Sequence, residues 1–472
     1  MRLLNVLFLS LTLFVTDITN GQLTKTNMEN SNKEQIINTL QGLFMSTDSR
    51  DWQKCKSYFI EKPFVDYSSL NGEAGKVVNA ADLIKGWESF LPKFKSTQHM
   101  LTNFEINING DKADARFYGH AIHHLPHAKG GDMWGLYGIY TASLVNVESR
   151  WKIASFVLTV NYEEGNKSML SVISNLPKEQ KVKFESEGET IVGNLVLPSG
   201  YKQEQKLPVV MIFGAWTQVK EQTQYVYGRK LAEQGYAVLN FDFRYWGESG
   251  GKPRSLESTD EKVKDVLNAI KFLKSHPAID ASNMSLIGVC AGAGVTLRVS
   301  GISKDIRNTA TVAAWLQHPS TTPGFYGGAE GVQERVRLAE ATKKKYVETG
   351  TADYVDAYNP TNKTAAMFFP LDYYSRPDRG RIPEWNNQFA IMGWKEWMQM
   401  NSIDGVAEKI NCPIIMVHSD GSSLPDNVKK FYNLVPAEKK KLSWLEGEHT
   451  QFYDNDEKID AALAEIVQFF KM

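Results

Sequence analysis

The sequence predicts two folded parts, an α+β domain followed by a doubly wound, mostly parallel α/β sheet. Three observations carry this. Helical periodicity gives way to strand-like alternation over the first third of the chain. Beyond residue 177, short continuous apolar runs alternate with amphipathic helical segments, the mark of strands buried on both faces. Among these runs, Gly288-Val289-Cys290-Ala291-Gly292 joins an apolar run to a helical one, a turn that holds its central side chain exposed and strained.

At 472 residues the chain is too long for one ordinary domain. A hydrophobic share of 42% with 11% aromatic residues suffices for sizeable cores and argues against extended disorder. Lysine and arginine number 53 against 54 acidic residues, so no basic stripe suggests a nucleic-acid partner.

The first residues read as a leader. Met1-Arg2 is a short positive start, residues 3–15 are an apolar run too short to span a bilayer, and 16–22 are small and polar. A secretory signal peptide over residues 1–21 is therefore expected, and with it a secreted or periplasmic protein and no membrane contact after cleavage. Three cysteines, Cys55, Cys290 and Cys412, show no framework spacing, and their odd number leaves at least one thiol free.

Residues 34–43 and 52–59 carry helical periodicity. Strand-like runs follow at 104–108, 112–123, 134–146 and 151–162, with Asn109-Gly110-Asp111 as a hairpin signal between the first two. These make a domain over 30–165. A second domain spans 177–472, beginning with short strands at 182–184 and 190–197. Buried strands are then expected at 208–213, 237–243, 284–289, 310–316 and 413–418, with helices at 221–235 and 261–274. An insertion near 320–405 contains Met367-Phe368-Phe369, Trp385, Trp394 and Trp397. It reads as a lid over an apolar pocket or as a helical subdomain with its own core.

A thiol nucleophile needs a base, and the base needs an orienting acid. After Cys290 come Asp420, two residues past the strand ending at His418, and His449 in Leu445-Glu446-Gly447-Glu448-His449. The order nucleophile, acid, histidine fits a doubly wound hydrolase. Asp426 is the alternative acid, since the aspartate of such loops usually stands where Ser422 does, and His418 is the rival base. A helix beginning just after Cys290 is expected to lower its thiol pKa. The competing reading is a small buried cysteine in a packing turn. The oxyanion donors are expected at the amides of Ala291 and of Ala215 or Trp216, with Trp216 preferred. Gly247-Glu248-Ser249-Gly250-Gly251 partly matches the same motif but runs into Lys252-Pro253 and not into a helix, so Ser249 reads as a turn residue held by Asp242 and Arg244.

These residues resemble an α/β-hydrolase of the dienelactone-hydrolase-like type over about 180–472. The likeness lies in 214–222, 241–251, the cysteine elbow and Glu446-Gly447-Glu448-His449. It implies an α/β-hydrolase fold with a helical lid and cleavage of an ester, lactone or thioester by Cys290, Asp420 and His449. Residues 30–165 resemble the SnoaL-like, nuclear-transport-factor-2-like family through 47–52, Val65-Asp66-Tyr67, Thr97-Gln98-His99 and His123-His124. That likeness implies a curved sheet around a conical pocket and, by similarity to scytalone dehydratase, a pocket set of Asp48, Tyr67, His99 and His123.

The expectation is thus a secreted hydrolase acting on a small molecule. The alternatives are a lyase or isomerase using the front pocket on a polyketide-like or polycyclic compound, and a non-catalytic binding protein. No cofactor is expected. No metal is expected either, because strand alternation sends His123 and His124 to opposite faces and works against a site shared with His120 and His127. Members with the front fold often dimerise, which makes a homo-oligomer an expectation.

Overall fold

The computed structural model describes residues 29–472. They divide into two compact units, one ending at Ser174 and one beginning at Asn175. The expected leader over 1–21 lies outside the described residues.

The first unit opens with a helix over 29–48. Its strands are β1 (Phe59–Asp66), β2 (Lys76–Val77), β3 (Ser96–Asn109), β4 (Lys112–His124), β5 (Met133–Val147) and β6 (Arg150–Gly165). They form one sheet in the order β2-β1-β6-β5-β4-β3, antiparallel except for the β1–β6 pair. Gly110 turns the β3–β4 hairpin at φ +61°, where glycine carries no Cβ penalty. Burial alternates along β4, and Phe117, Ala142, Ile153 and Phe156 meet Ile36 and Leu40 of the first helix in a common core.

Two expectations shift here. The helix expected over 52–59 stops at Ser57, because Phe59 opens β1 and is buried in the sheet core. A helix at Ala80–Phe90, capped by the Asn79 side chain on the Ala81 amide, was not anticipated.

The second unit has β7 (Lys178–Ser186), β8 (Glu189–Leu197), β9 (Leu207–Phe213), β10 (Ala237–Phe241), β11 (Ile279–Val289) and β12 (Ile306–Val312). After the short ribbon β13 (Tyr354–Asp356) and β14 (Gln388–Ala390) come β15 (Ile414–His418) and β16 (Lys440–Trp444). The main sheet runs β16-β15-β12-β11-β9-β10-β8-β7. It is parallel from β10 to β16, and β7 and β8 add antiparallel. Helices at Thr223–Glu233, Thr259–Ser275, Gly292–Ile302, Pro425–Leu434 and Asp456–Lys471 connect and cover it. Chain order reverses between β9 and β11, and their register pairs Gly288 with Phe213. The carboxyl ends of these two strands therefore lie side by side at a topological switch point, where ligands bind in such sheets.

The insertion carries the helices Gly328–Thr349 and Trp394–Gln399. Its aromatics Trp385, Phe389 and Trp394 belong to the same buried cluster as Val210, Ile212 and Val289 of the sheet. Trp397 stacks on Trp216 at 4.0 Å. The insertion is thus continuous with the main core and does not build a separate one.

A buried ion pair anchors the loop after β9. Lys220 Nζ, with its side chain 1% exposed, lies 2.9 Å from Asp242 and 2.7 Å from Glu248. Asp242 also accepts the Lys220 and Glu248 amides. Lys220→Met would leave Asp242 buried without its counter-charge, and the unfolding free energy of this unit is expected to fall by about 3–5 kcal/mol in a denaturant titration. A change below about 1 kcal/mol would put the pair among surface-like ion pairs. Ser249 is a turn residue as expected: its hydroxyl donates to Asp242 O at 2.5 Å and accepts the Val192 amide at 2.9 Å. Arg244 is held by Asp265 at 2.8 Å and by Glu261.

Candidate active site

Cys290 sits at the exit of β11 with φ +54°, and the next helix starts at Gly292. The flanking glycines are needed for close packing. A Cβ on Gly288 would lie 2.5 Å from Thr296 Oγ1, and one on Gly292 would lie 2.3 Å from Phe213 O. A side chain at Gly288 would collide with the helix that follows, and one at Gly292 with the end of β9.

Across from the sulfur, His449 Nε2 lies 3.3 Å from Cys290 Sγ. The two residues are brought together by the loop after β16, whose His449 amide donates to Gly421 O. The amides of Ala291 and Trp216 and the hydroxyl of Tyr453 are also close enough to the sulfur to favour its thiolate. The choice between Ala215 and Trp216 is made by hydrogen bonding. The Ala215 amide is already bound to Gln218 Oε1 at 2.9 Å, leaving the Trp216 amide for the Cys290 sulfur.

Burial raises the Cys290 thiol to about 11, and the three donors only partly offset this. The expected lowering by the helix start is therefore overridden by desolvation. His449 is pushed down to about 3 by burial and by neighbouring His418. The resting pair is a neutral thiol and a neutral imidazole. His418, the rival base, is buried against the Trp444 ring at 5.2 Å and is lowered by burial to about 4.

The acid is where sequence and structure part. The Ser423 amide donates to His449 Nδ1 at 3.2 Å. Nδ1 is thus an acceptor, and the neutral ring carries its hydrogen on Nε2, facing sulfur. Asp420 is exposed in a surface groove with Gly421, Glu446 and Lys458, and makes no hydrogen bond to His449. Asp426 is 97% exposed and pairs weakly with Lys429 at 4.0 Å. At the usual acid position, Ser422 shares its hydroxyl with Ser419 at 2.7 Å. Asp420→Asn is accordingly expected to change kcat/KM by less than about 3-fold, whereas loss of a working triad carboxylate costs on the order of 10⁴. Steady-state kinetics of that variant separate the two.

The sulfur opens on a cavity of about 410 Å³. Trp315, Phe325, Tyr326, Phe369, Tyr374 and Trp397 contribute aromatic walls, and Met367 and Leu371 contribute aliphatic ones. Among the described residues that line it there is no Asp, Glu, Lys or Arg.

In the front unit, Asp48 and His99 are paired through Oδ1 and Nδ1 at 2.7 Å. Asp48 also accepts the His99 amide and the Thr97 hydroxyl, each at 2.8 Å. Burial alone would raise the Asp48 carboxyl, but these bonds outweigh it and hold it below its usual range. His123 lies 6.1 Å from His99, ring to ring, and burial lowers it to about 4. Tyr67 is not joined to this set: burial raises its phenol well above the usual range, and the groups that act on it are Tyr140 and Trp87. Among the described residues no group of three or more His, Cys, Asp or Glu is placed to hold a metal ion, and no helix is long and apolar enough to cross a membrane.

The X-Pro dipeptidyl-peptidase (S15 family) profile matches residues 187–451, more than half the chain. The chain belongs to this S15 family. A SnoaL-like domain profile matches residues 29–157. The S15 member shares 28% identity over 292 residues with the uncharacterized protein PA2218 of Pseudomonas aeruginosa, covering 60% of this chain and 78% of that one. The crystal structure of PA2218 superposes with a TM-score of 0.56, covering 62% of this chain and 93% of the other at 26% identity. A polyketide transferase, claH of Penicillium crustosum, is 22% identical over 56% of this chain and 88% of its own length. The α/β hydrolase GrgF from a Penicillium species shares the fold, with a TM-score of 0.53 at 20% identity over 62% of this chain and 98% of its own. The S15 member is therefore a hydrolase of α/β-hydrolase fold behind a SnoaL-like domain.

Proposed function

We propose that this protein cleaves acyl compounds with a good leaving group, thioesters first and aryl esters or activated lactones next, through a covalent acyl intermediate on Cys290. The observation that carries this is the Cys290–His449 contact of 3.3 Å at the elbow, with two backbone amides facing the sulfur. The thiol loses its proton to solvent, and His449 Nε2–H donates a hydrogen bond to the thiolate. Sulfur attacks the carbonyl carbon, forming the C–S bond while the carbonyl π pair moves to oxygen, where the Ala291 and Trp216 amides receive it. Collapse breaks the bond to the leaving group. His449, neutral and without a carboxylate behind it, is a poor acid for that group. A thiolate or phenolate departs unprotonated, whereas an alkoxide or amine does not. Hydroxide then adds to the acyl carbon, the C–S bond breaks, the thiolate returns, and the released acid gives its proton to solvent.

The cavity supports an uncharged, flat, apolar acyl group. A dipeptidyl-peptidase substrate brings an N-terminal ammonium, and this cavity offers it no carboxylate. The amide bond of a peptide is also the poorest match to the weak acid. Relatives described as a polyketide transferase and as a thiohydrolase of Aspergillus aculeatus support the same acyl chemistry. The elbow cysteine supports the dienelactone-hydrolase-like likeness. Export rests on the leader-like residues 1–21, and a homo-oligomer on the front fold's habit of pairing. The test is a panel of aromatic thioester, aryl ester, alkyl ester and X-Pro anilide, read together with intact mass. Thioester turnover with an acyl adduct on Cys290 is expected, and preferential cleavage of the X-Pro anilide overturns the proposal.

A second reading has its own observation. The Asp48–His99 pair with His123 beside it is an arrangement that moves protons, and supports a lyase or isomerase step in the front domain. Loss of a water-elimination activity in His99→Ala, with Cys290→Ala unaffected, would favour it.

A further inference from the structure

We infer that Tyr453 is a catalytic residue of the acyl-transfer site, its hydroxyl donating to Cys290 Sγ and holding the thiolate in the absence of a triad carboxylate. Tyr453 lies on the short helix Gln451–Asp454, one turn beyond His449, so the same loop delivers both residues to the sulfur. It lines the cavity with Cys290 and His449, and its ring meets the imidazole edge-on at 5.5 Å. The Tyr373 ring braces it from the other side at 5.0 Å, also edge-on. The ring is therefore held in a packed slot beside the sulfur, which its hydroxyl is near enough to influence.

A buried thiolate with no cation beside it requires hydrogen-bond donors. The backbone supplies two, but both amides also serve the developing oxyanion and are drawn to it as the C–S bond forms. The Tyr453 hydroxyl and His449 Nε2–H remain with sulfur through attack and again when the C–S bond breaks. Burial raises the Tyr453 phenol well above its ordinary value, so it stays protonated, a donor, across the working range. No proton leaves the tyrosine at any step. Its part is to lower the energy of the anion on sulfur, both as nucleophile and as leaving group in deacylation. A cysteine with a strong orienting acid on its histidine has no need of such a donor, and here that acid is absent.

The inference rests on Cys290 being the nucleophile, and the experiment keeps the two claims apart. Alkylation of Cys290 by iodoacetamide, followed by mass spectrometry as a function of pH, reports thiol ionisation without any substrate. Tyr453→Phe retains the ring and its packing. It is expected to shift the alkylation profile to higher pH by about one unit and to lower kcat/KM at fixed pH about 10- to 100-fold, in line with loss of one hydrogen bond to a charged group. Tyr373→Phe, which removes a hydroxyl bonded to Thr223 and keeps the same ring contact with Tyr453, is expected to leave both readouts where they are. An unshifted alkylation profile in Tyr453→Phe, or an equal shift in both variants, overturns the role of the hydroxyl. Thioester cleavage that survives Cys290→Ala overturns the nucleophile assignment instead.

Discussion

Cys290→Ala is expected to leave the protein folded and to lower kcat/KM for an aromatic thioester by about 10⁴-fold or more, as removal of a lone nucleophile does in other acyl-transfer enzymes. Folding should survive because the change removes one sulfur atom and keeps the Cβ. The left-handed backbone at φ +54° is imposed by the close packing of Gly288 and Gly292 and not by the cysteine side chain. Melting within a few degrees of the wild type would verify that. The rate should collapse because Cys290 alone stands at the elbow beside the amides of Ala291 and Trp216 and 3.3 Å from His449 Nε2. The Tyr374 hydroxyl is spent on Trp216 O at 3.2 Å. Cys290→Ser should do little better. An alcohol in this desolvated slot ionises far less readily than a thiol, and no base of useful strength stands next to it. The acyl adduct seen by intact mass should vanish in both variants. Retention of a tenth or more of the thioester rate in Cys290→Ala is incompatible with the proposal.

What the sequence disclosed and what it hid divide along a physical line. The elbow was legible because its geometry is enforced by residues adjacent in the chain. Two glycines bracket Cys290, and the Cβ atoms they lack would collide with the next helix and the neighbouring strand. His449 was legible because its place after the last strand follows from the order of a doubly wound sheet. The acid was not legible, since the partner of Nδ1 is the Ser423 amide, and a backbone group leaves no mark in a sequence. Asp420 is a carboxylate at nearly the right place in the chain but lies on the outer face of the loop, and a one- or two-residue offset at a strand exit decides which face a side chain takes. Choosing between the Ala215 and Trp216 amides required knowing that Gln218 folds back on Ala215. Tyr453 escaped notice because a tyrosine in a short helix resembles ordinary core. In the front domain, alternation along β3 to β6 revealed the hairpins, whereas β1 was hidden in a segment whose first residues continue a helical pattern.

Thioester hydrolysis is expected to accelerate by close to tenfold per pH unit from about pH 6 to pH 10, with no plateau near neutrality, as follows from thiolate as the limiting reactant. The sign is fixed by the two shifts. The Cys290 thiol, raised to about 11, is neutral at pH 7, and its reactive fraction grows until the pH reaches that value. His449, lowered to about 3, is neutral throughout the range and contributes no ascending limb near pH 6 to 7. A carboxylate-backed histidine would behave otherwise. It would take the thiol proton itself, and kcat/KM would level off above its own titration, giving a profile flat between about pH 7 and 9. Deacylation by hydroxide rises in the same direction, so kcat should climb along with kcat/KM. The same arrangement predicts that an aryl thioester outruns an alkyl ester of the same acyl group by a margin that narrows little with pH, because the weak acid at the leaving group is a property of neutral His449 and not of the thiol. A pH–rate profile on both substrates, with iodoacetamide alkylation as the independent gauge of thiol ionisation, measures each part. If the rate instead levels off near neutrality while alkylation continues to rise, His449 is acting as a base toward the thiol, and a carboxylate must reach Nδ1 in the substrate complex.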